Sequence, residues 1–199
     1  VLSPGQMIVL QSGQPCPNGV RLVLGAGTGL GMAILVDGRI LPSEGGHVGF
    51  APADEAQWQV WRALQAERGR VTAESVISGS GLANIHRILA GEVLDPAVIV
   101  ARARQGDVVA RRSLEVFFSA YGAFAGDMAL ALLACGGVFL AGGVTSHLLA
   151  ELPESGFLAA FNAKAEHAAL VRRMPVCVVT DPEIGLRGSA VALARGVIR

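Results

Sequence analysis

The sequence predicts a mixed α/β fold, and three observations carry that prediction. Apolar runs at 20–24 and 32–36 flank a glycine-rich turn, Gly25-Ala26-Gly27-Thr28-Gly29. Asp37-Gly38 then separates the second run from Arg39-Ile40-Leu41, a strong hairpin signal. Beyond these, apolar residues at helical spacing alternate with short apolar runs at 138–141 and 176–180. Early hairpins followed by helices and isolated strands describe a mixed α/β lobe with a mixed sheet and flanking helices.

The elements follow in order. Residues 1–19 carry Pro4, Gly5, Gly13, Pro15, Pro17 and Gly19, and read as a loose lead-in with one short strand at 7–10. Antiparallel strands at 20–24 and 32–36 join through the glycine turn, and a third lies at 39–42. Asp54 caps a helix over 55–67, where Ala56, Val60, Ala63 and Leu64 form an apolar stripe. Trp58 and Trp61 are packing residues, since no basic cluster accompanies them. After Gly69, Thr72 caps a short helix to 77, with Glu74 in its first turn, where the helix dipole favours a carboxylate. Ser78-Gly79-Ser80-Gly81 reads as a flexible turn before a helix starting at 82–89, whose His86 is structural or on the surface.

Asp95-Pro96 opens a helix over 96–103, broken at Gly106-Asp107. A long helix spans 108–134, with Ala120, Gly122, Ala123, Ala125 and Gly126 small enough to let another element approach, and Gly136-Gly137 ends it. A buried strand at 138–141 leads to Gly142-Gly143, at the strand end where open α/β folds place ligands. Helices at 146–152 and 155–161, and one ending near 170, precede a strand at 176–180. A turn at Asp181-Pro182-Glu183 leads to a last helix over 185–197.

Composition sets the outer limits. A chain of 199 residues, 52% hydrophobic and 16% charged, buries a substantial core and is not a disordered chain. Formal net charge is +0, which argues against a nucleic-acid partner or an anionic membrane surface. The most apolar region, 117–144, is interrupted by Asp127 and by glycines. Its uninterrupted part, 128–144, is shorter than the roughly 20 residues of a membrane span. Cys16, Cys135 and Cys177 are far apart in sequence, which predicts neither a disulfide framework nor a zinc site of close cysteines. A reducing cytoplasm is the expected setting. No basic stretch leads into an apolar core at the start, so no signal peptide is expected. A chain opening on Val1 reads as a fragment or a processed product.

Two features carry chemistry. Glycines let backbone N–H groups approach an anion, and Thr28 adds a hydroxyl; the same pattern also suits a plain hairpin without ligand. It is neither a dinucleotide fingerprint, because a strand and not a helix follows, nor a Walker loop, because Gly-Lys-Ser/Thr is absent. In Glu44-Gly45-Gly46-His47 a carboxylate accepts hydrogen bonds and a neutral imidazole both accepts and donates, which suits sugar hydroxyls. From these four residues alone a solvated glutamate beside a structural histidine is the favoured reading.

The series LGAGTGLG, SEGGHVGFAP, TAESVISGSGL and GGVFLAGGV, continued by SGFLAAFNAK and GLRGSAVAL, resembles bacterial glucokinase. That family belongs to the hexokinase-related group with an actin-like ATPase (ribonuclease H-like) fold. The likeness covers nearly the whole chain in order. It implies transfer of the γ-phosphoryl of ATP, with Mg²⁺, to the 6-hydroxyl of glucose by a cytoplasmic homodimer. It implies that Glu44, His47 and Glu74 contact glucose. It implies that Gly25, Gly27, Thr28 and Gly29 hold the ATP phosphates and that Gly142 and Gly143 lie against adenosine.

The same resemblance implies that residues 1–187 form the large lobe and that 188–199 form a helix packing on a small lobe not in this chain. Ala190, Leu193, Ala194 and Val197 would then lack their partner. The family's Asp-x-Gly-Gly-Thr loop and its Asn-Asp, which carries the general base, have no counterpart here, so the chain is expected to be inactive alone. A non-catalytic sugar- or nucleotide-binding module and a sugar-responsive regulator are the alternatives. The regulator type carries a cysteine-rich zinc motif near its Glu-x-Gly-His element. No cysteine lies between Cys16 and Cys135, and no basic helix-turn-helix is present.

Overall fold

The computed structural model describes residues 4–181, 183–185 and 188. In chain order these form β1 (Met7–Gln11), β2 (Arg21–Ala26), β3 (Leu30–Val36), β4 (Arg39–Ser43), α1 (Glu55–Arg68), α2 (Gly79–Ala90), α3 (Pro96–Arg104), α4 (Val108–Leu132), β5 (Gly137–Ala141), α5 (Gly143–His147), α6 (Phe157–Asn162), α7 (Ala168–Val171) and β6 (Val176–Val179). The strands make one six-stranded sheet in the order β1-β6-β5-β2-β3-β4. β2, β3 and β4 are an antiparallel meander, in register from Ala26 opposite Leu30 and from Val36 opposite Arg39. β5 and β6 run parallel to β2, and β1 closes that side antiparallel to β6.

This topology positions the ligand-facing end. From β2 the chain turns one way into β3, while α1–α4 carry it back to β5 on the other side of β2. The carboxyl ends of β2 and β5 therefore lie side by side, Gly25 opposite Ala141, where neighbouring connections diverge. Such divergence points open crevices beyond the strand ends.

Alternation in β2 buries Leu22, Leu24 and Ala26 and leaves Arg21 and Val23 outward, as a half-covered strand requires. Against this face packs α4, capped by Asp107, which accepts the Ala110 amide at 2.9 Å. The small residues of α4 do what their size predicts. Gly122 and Gly126 sit against the carbonyls of Phe157 and Phe161, where a side chain on either glycine would collide. α6 thus lies on the backbone of α4, with Tyr121, Phe157 and Phe161 in a run of aromatic contacts. Lys164, 8% exposed, completes the joint by donating to the Ala123 carbonyl and pairing with Asp127 at 2.7 Å.

Several expected boundaries shift. No helix forms over 72–77; Thr72 and Ser75 instead make a hydroxyl-bonded turn at 2.9 Å, and Glu74 stands in it. The stretch read as a flexible turn starts α2, with Ser78 as cap accepting the Gly81 amide at 2.9 Å. Gly81 abuts the Val76 backbone, so packing overrides the poor helix propensity of two glycines. α4 stops at Leu132, where Leu133 adopts a left-handed φ of 47°. The helix expected over 146–152 begins earlier, at Gly143, and ends at His147. His86 is buried, not on the surface. Its Nδ1 lies 3.0 Å from Ser113 Oγ, which donates its own hydrogen to the Val109 carbonyl, so the ring nitrogen is the donor. The terminal helix over 185–197, with Ala190, Leu193, Ala194 and Val197, lies outside the described residues apart from Gly185 and Gly188. Among the described residues no helix is long and apolar enough to cross a membrane.

Candidate active site

The glycine turn is shorter than its sequence suggests. Gly25 lies within β2, paired with Gly31. Only Gly27-Thr28-Gly29 connect the two strands, and the Gly27 amide donates to the Gly29 carbonyl at 2.9 Å. That amide is therefore engaged within the turn, while the Thr28 side chain is exposed at its tip. None of Gly25, Gly27 and Gly29 has a positive φ, so backbone conformation does not require glycine there. Close approach does at Gly29, where a Cβ would come 2.5 Å from Glu74 Oε2. On the opposite side the Gly27 carbonyl accepts the Gly79 amide at 2.8 Å, fixing the turn to the start of α2.

Glu74 joins two parts of the site. Its amide donates to the Gly46 carbonyl at 2.9 Å, and its Oε2 accepts the Leu30 amide at 2.8 Å. Its Oε1 is 4.0 Å from His47 Nδ1. His47 projects from a short 3-10 turn, Gly45–His47, headed by Glu44, whose carbonyl accepts the His47 amide at 2.9 Å. Glu44 and His47 are exposed. Gly45 and Gly46 are buried beneath them against Met32 and Leu30, so they are small because β3 lies directly under the turn.

Gly142 and Gly143 complete the arrangement beyond β5. Gly142 has a φ of 98°, and a Cβ there would strike Ala26, so both conformation and space demand glycine. Gly143 adjoins Gly27, and both line a cleft of about 740 Å³ together with Thr28, Ser80, Pro96, Val144 and His147 among others. His147 donates Nδ1–H to the Gly143 carbonyl at 2.7 Å. Arg104, also on the cleft wall, holds the His147 carbonyl at 3.0 Å and the Glu151 carboxylate at 2.6 Å. The Arg104 hydrogen bond, then Glu151's own backbone amide and the Arg104 charge, keep the Glu151 carboxyl below its ordinary range.

The sequence-predicted residues fall at one end of the sheet; Gly25, Gly29 and Gly142 shape the backbone there, and the other six form two groups. Glu44, His47 and Glu74 lie on one flank of the glycine turn; Gly27, Thr28 and Gly143 line the cleft on the other. Carboxylates and an imidazole on an open flank suit a polyhydroxylated ligand. A cleft between a hairpin turn and a helix start suits a longer, partly apolar one. Ser80, His147 and Arg104 were missed from sequence. Ser78 is an N-cap residue type, a signal for the start of α2 that would have brought Ser80 with it; nothing marked the other two. Among the described residues no three metal-ligating side chains converge.

The Glucokinase family profile matches residues 1–196. A glucokinase of Chromohalobacter salexigens is 42% identical over 198 residues, covering 94% of this chain and 62% of that protein. One from Mesorhizobium japonicum is 38% identical over 200 residues, covering 95% and 59%. The crystal structure of a glucokinase from an Antarctic psychrotroph superposes with a TM-score of 0.91 at 34% identity, covering 98% of this chain and 64% of that one. The chain therefore spans about three-fifths of the length of the curated relatives it matches. The mixed sheet with flanking helices is the actin-like ATPase architecture that the sequence series implied.

Proposed function

The chain belongs to the glucokinase family, and from that premise we propose that the protein transfers the γ-phosphoryl of ATP to the 6-hydroxyl of glucose. Glu44 and Glu74 accept hydrogen bonds from sugar hydroxyls, and His47 donates or accepts. Gly25, Gly27, Thr28 and Gly29 shape the turn that meets the phosphates, and Gly142 and Gly143 shape the surface that meets adenosine. The general base is the Asp of an Asn-Asp pair, which these 199 residues do not hold. The protein works as a cytoplasmic homodimer.

One observation carries this reading. Glu74 bonds the first residue of β3 while standing 4.0 Å from His47, so a single carboxylate links the phosphate-shaped turn to the sugar-shaped flank. Phosphoryl transfer rests mainly on positioning and charge stabilisation, and a rigid link between the two subsites serves the first need. Mg²⁺ would neutralise charge on the phosphates. The donor set fits an ion carried on phosphate oxygens and water, the usual mode for magnesium with nucleotides, rather than an all-protein cage.

The test is calorimetry of the purified chain against glucose, together with a coupled assay for ATP-dependent turnover at confirmed mass. Glucose binding without turnover is expected, and Glu44→Gln weakens that binding by about 1–3 kcal/mol, the loss of a charged acceptor. Robust turnover would put the base inside these residues. Unchanged affinity in Glu44→Gln would remove Glu44 from the sugar site.

A further inference from the structure

The three cysteines look unrelated in sequence, yet two of them meet. Cys16 lies in the loop joining β1 to β2, and Cys135 in the turn joining α4 to β5. The Cys16 amide donates to the Cys135 carbonyl at 2.8 Å. Cys16 Cβ and Cys135 Sγ both fall within 3.0 Å of the point where a Cβ on Gly19 would stand. Gly136 is just as close to Gly19, and its amide bonds the Val20 carbonyl at 2.9 Å. Two bare glycine backbones thus let the cysteine-bearing turns close on each other. An amide–carbonyl bond of that length keeps the two Cα atoms within about 7 Å, the outer limit for bridging without backbone movement. Cys135 is near enough to hold the Cys16 thiol above its ordinary value. Cys16 is exposed and Cys135 half-buried, whereas Cys177 is buried on β6.

We propose that Cys16 and Cys135 are a redox-active dithiol that closes to a disulfide by exchange with a low-molecular-weight disulfide. The exposed Cys16 thiolate attacks one sulfur of the reagent, forming a mixed disulfide and expelling one thiolate. Cys135 then loses its proton and attacks Cys16 Sγ, expelling the second. Two protein thiols are oxidised, and one reagent disulfide is reduced to two thiols. The bridge ties the amino ends of β2 and β5 together, at the end of the sheet opposite Gly27 and Gly142. It therefore sets the stability of the lobe without entering the cleft.

The experiment equilibrates the purified protein with oxidised glutathione, followed by intact mass and peptide mapping without reductant. Loss of two hydrogens, with peptides holding Cys16 and Cys135 joined, is expected. The thermal midpoint should rise by on the order of 10 °C, since the bridge closes a long loop, and dithiothreitol should reverse the rise. Cys16→Ser and Cys135→Ser should each abolish the bridge and the shift, while Cys177→Ser retains both. Stable glutathione adducts on Cys16 in protein that unfolds like the reduced form would overturn the proposal, as would bridging through Cys177 or only between molecules.

Discussion

Glu74 Oε2 accepts the Leu30 amide at 2.8 Å, across 44 positions of sequence. This bond fastens the first residue of β3 to a loop that has no regular structure of its own. Leu30 is 5% exposed, so without that acceptor its amide is stranded. Glu74→Ala should lower unfolding free energy in urea by about 1–3 kcal/mol. Glu74→Gln keeps an amide oxygen for Leu30 and should lose much less stability, yet it should weaken glucose binding in calorimetry. Equal stability losses in the two variants would mean that the charge, not the acceptor, holds the loop.

Gly29 is small for the sake of that same carboxylate. Gly29→Ala places a methyl 2.5 Å from Glu74 Oε2 and should push the side chain off Leu30. Its stability cost should largely vanish on a Glu74→Ala background, a coupling that a double-mutant cycle in urea would show.

Gly27 offers the opposite case. It has no positive φ, and a Cβ there would come no nearer than 3.9 Å to its closest neighbour, the Gly143 amide nitrogen. Gly27→Val should therefore unfold like the parent protein while losing ATP binding, because the added methyls enter the cleft. Normal ATP binding by this variant would make the turn purely structural.

The hairpins were legible because their signals are local: Asp37-Gly38, the glycine turn and the apolar runs that flank it. Glu44 and His47 were legible because three residues bring them into one turn. Glu74 became a site candidate only through the family resemblance, and the helix expected around it does not form. A carboxylate after Thr72 looks like a helix-dipole partner, and only the fold reveals the Leu30 amide it serves. The helix start at Gly79 was hidden by two glycines whose poor propensity is outweighed by packing against Val76. The Cys16–Cys135 contact carried no sequence signal, since it depends on β2 and β5 lying side by side.

Gly122 sets two effects against each other. Alanine normally gains about 1 kcal/mol over glycine inside a helix. Here its methyl would collide with the Phe157 carbonyl, and backbone cannot rotate away as a side chain would. Overpacking of this kind costs about 1–3 kcal/mol and should win. Gly122→Ala is expected to be destabilised in urea, whereas Gly25→Ala, with open space around it, should not be. A stabilised Gly122→Ala would mean that α6 moves freely over α4.

The wall of the cleft should respond to acid through Glu151. Its carboxyl is held below the ordinary value of 4.5, first by the hydrogen bond from Arg104, then by its own backbone amide and by the Arg104 charge. A carboxyl depressed in the folded state stabilises it fully above the unfolded value and loses that contribution as pH falls through the folded one. The pair is partly solvated, so the contribution is under about 1 kcal/mol. Urea unfolding at neutral pH should find Glu151→Gln less stable than the parent by that margin, and the gap should close well below pH 4.5. A gap that persists in acid would assign the effect to shape and not charge. Because Arg104 also holds the His147 carbonyl, and His147 holds that of Gly143, the same titration should loosen the nucleotide flank. ATP affinity in Glu151→Gln at neutral pH should then fall modestly while glucose affinity, governed from the far side of Gly27, stays the same.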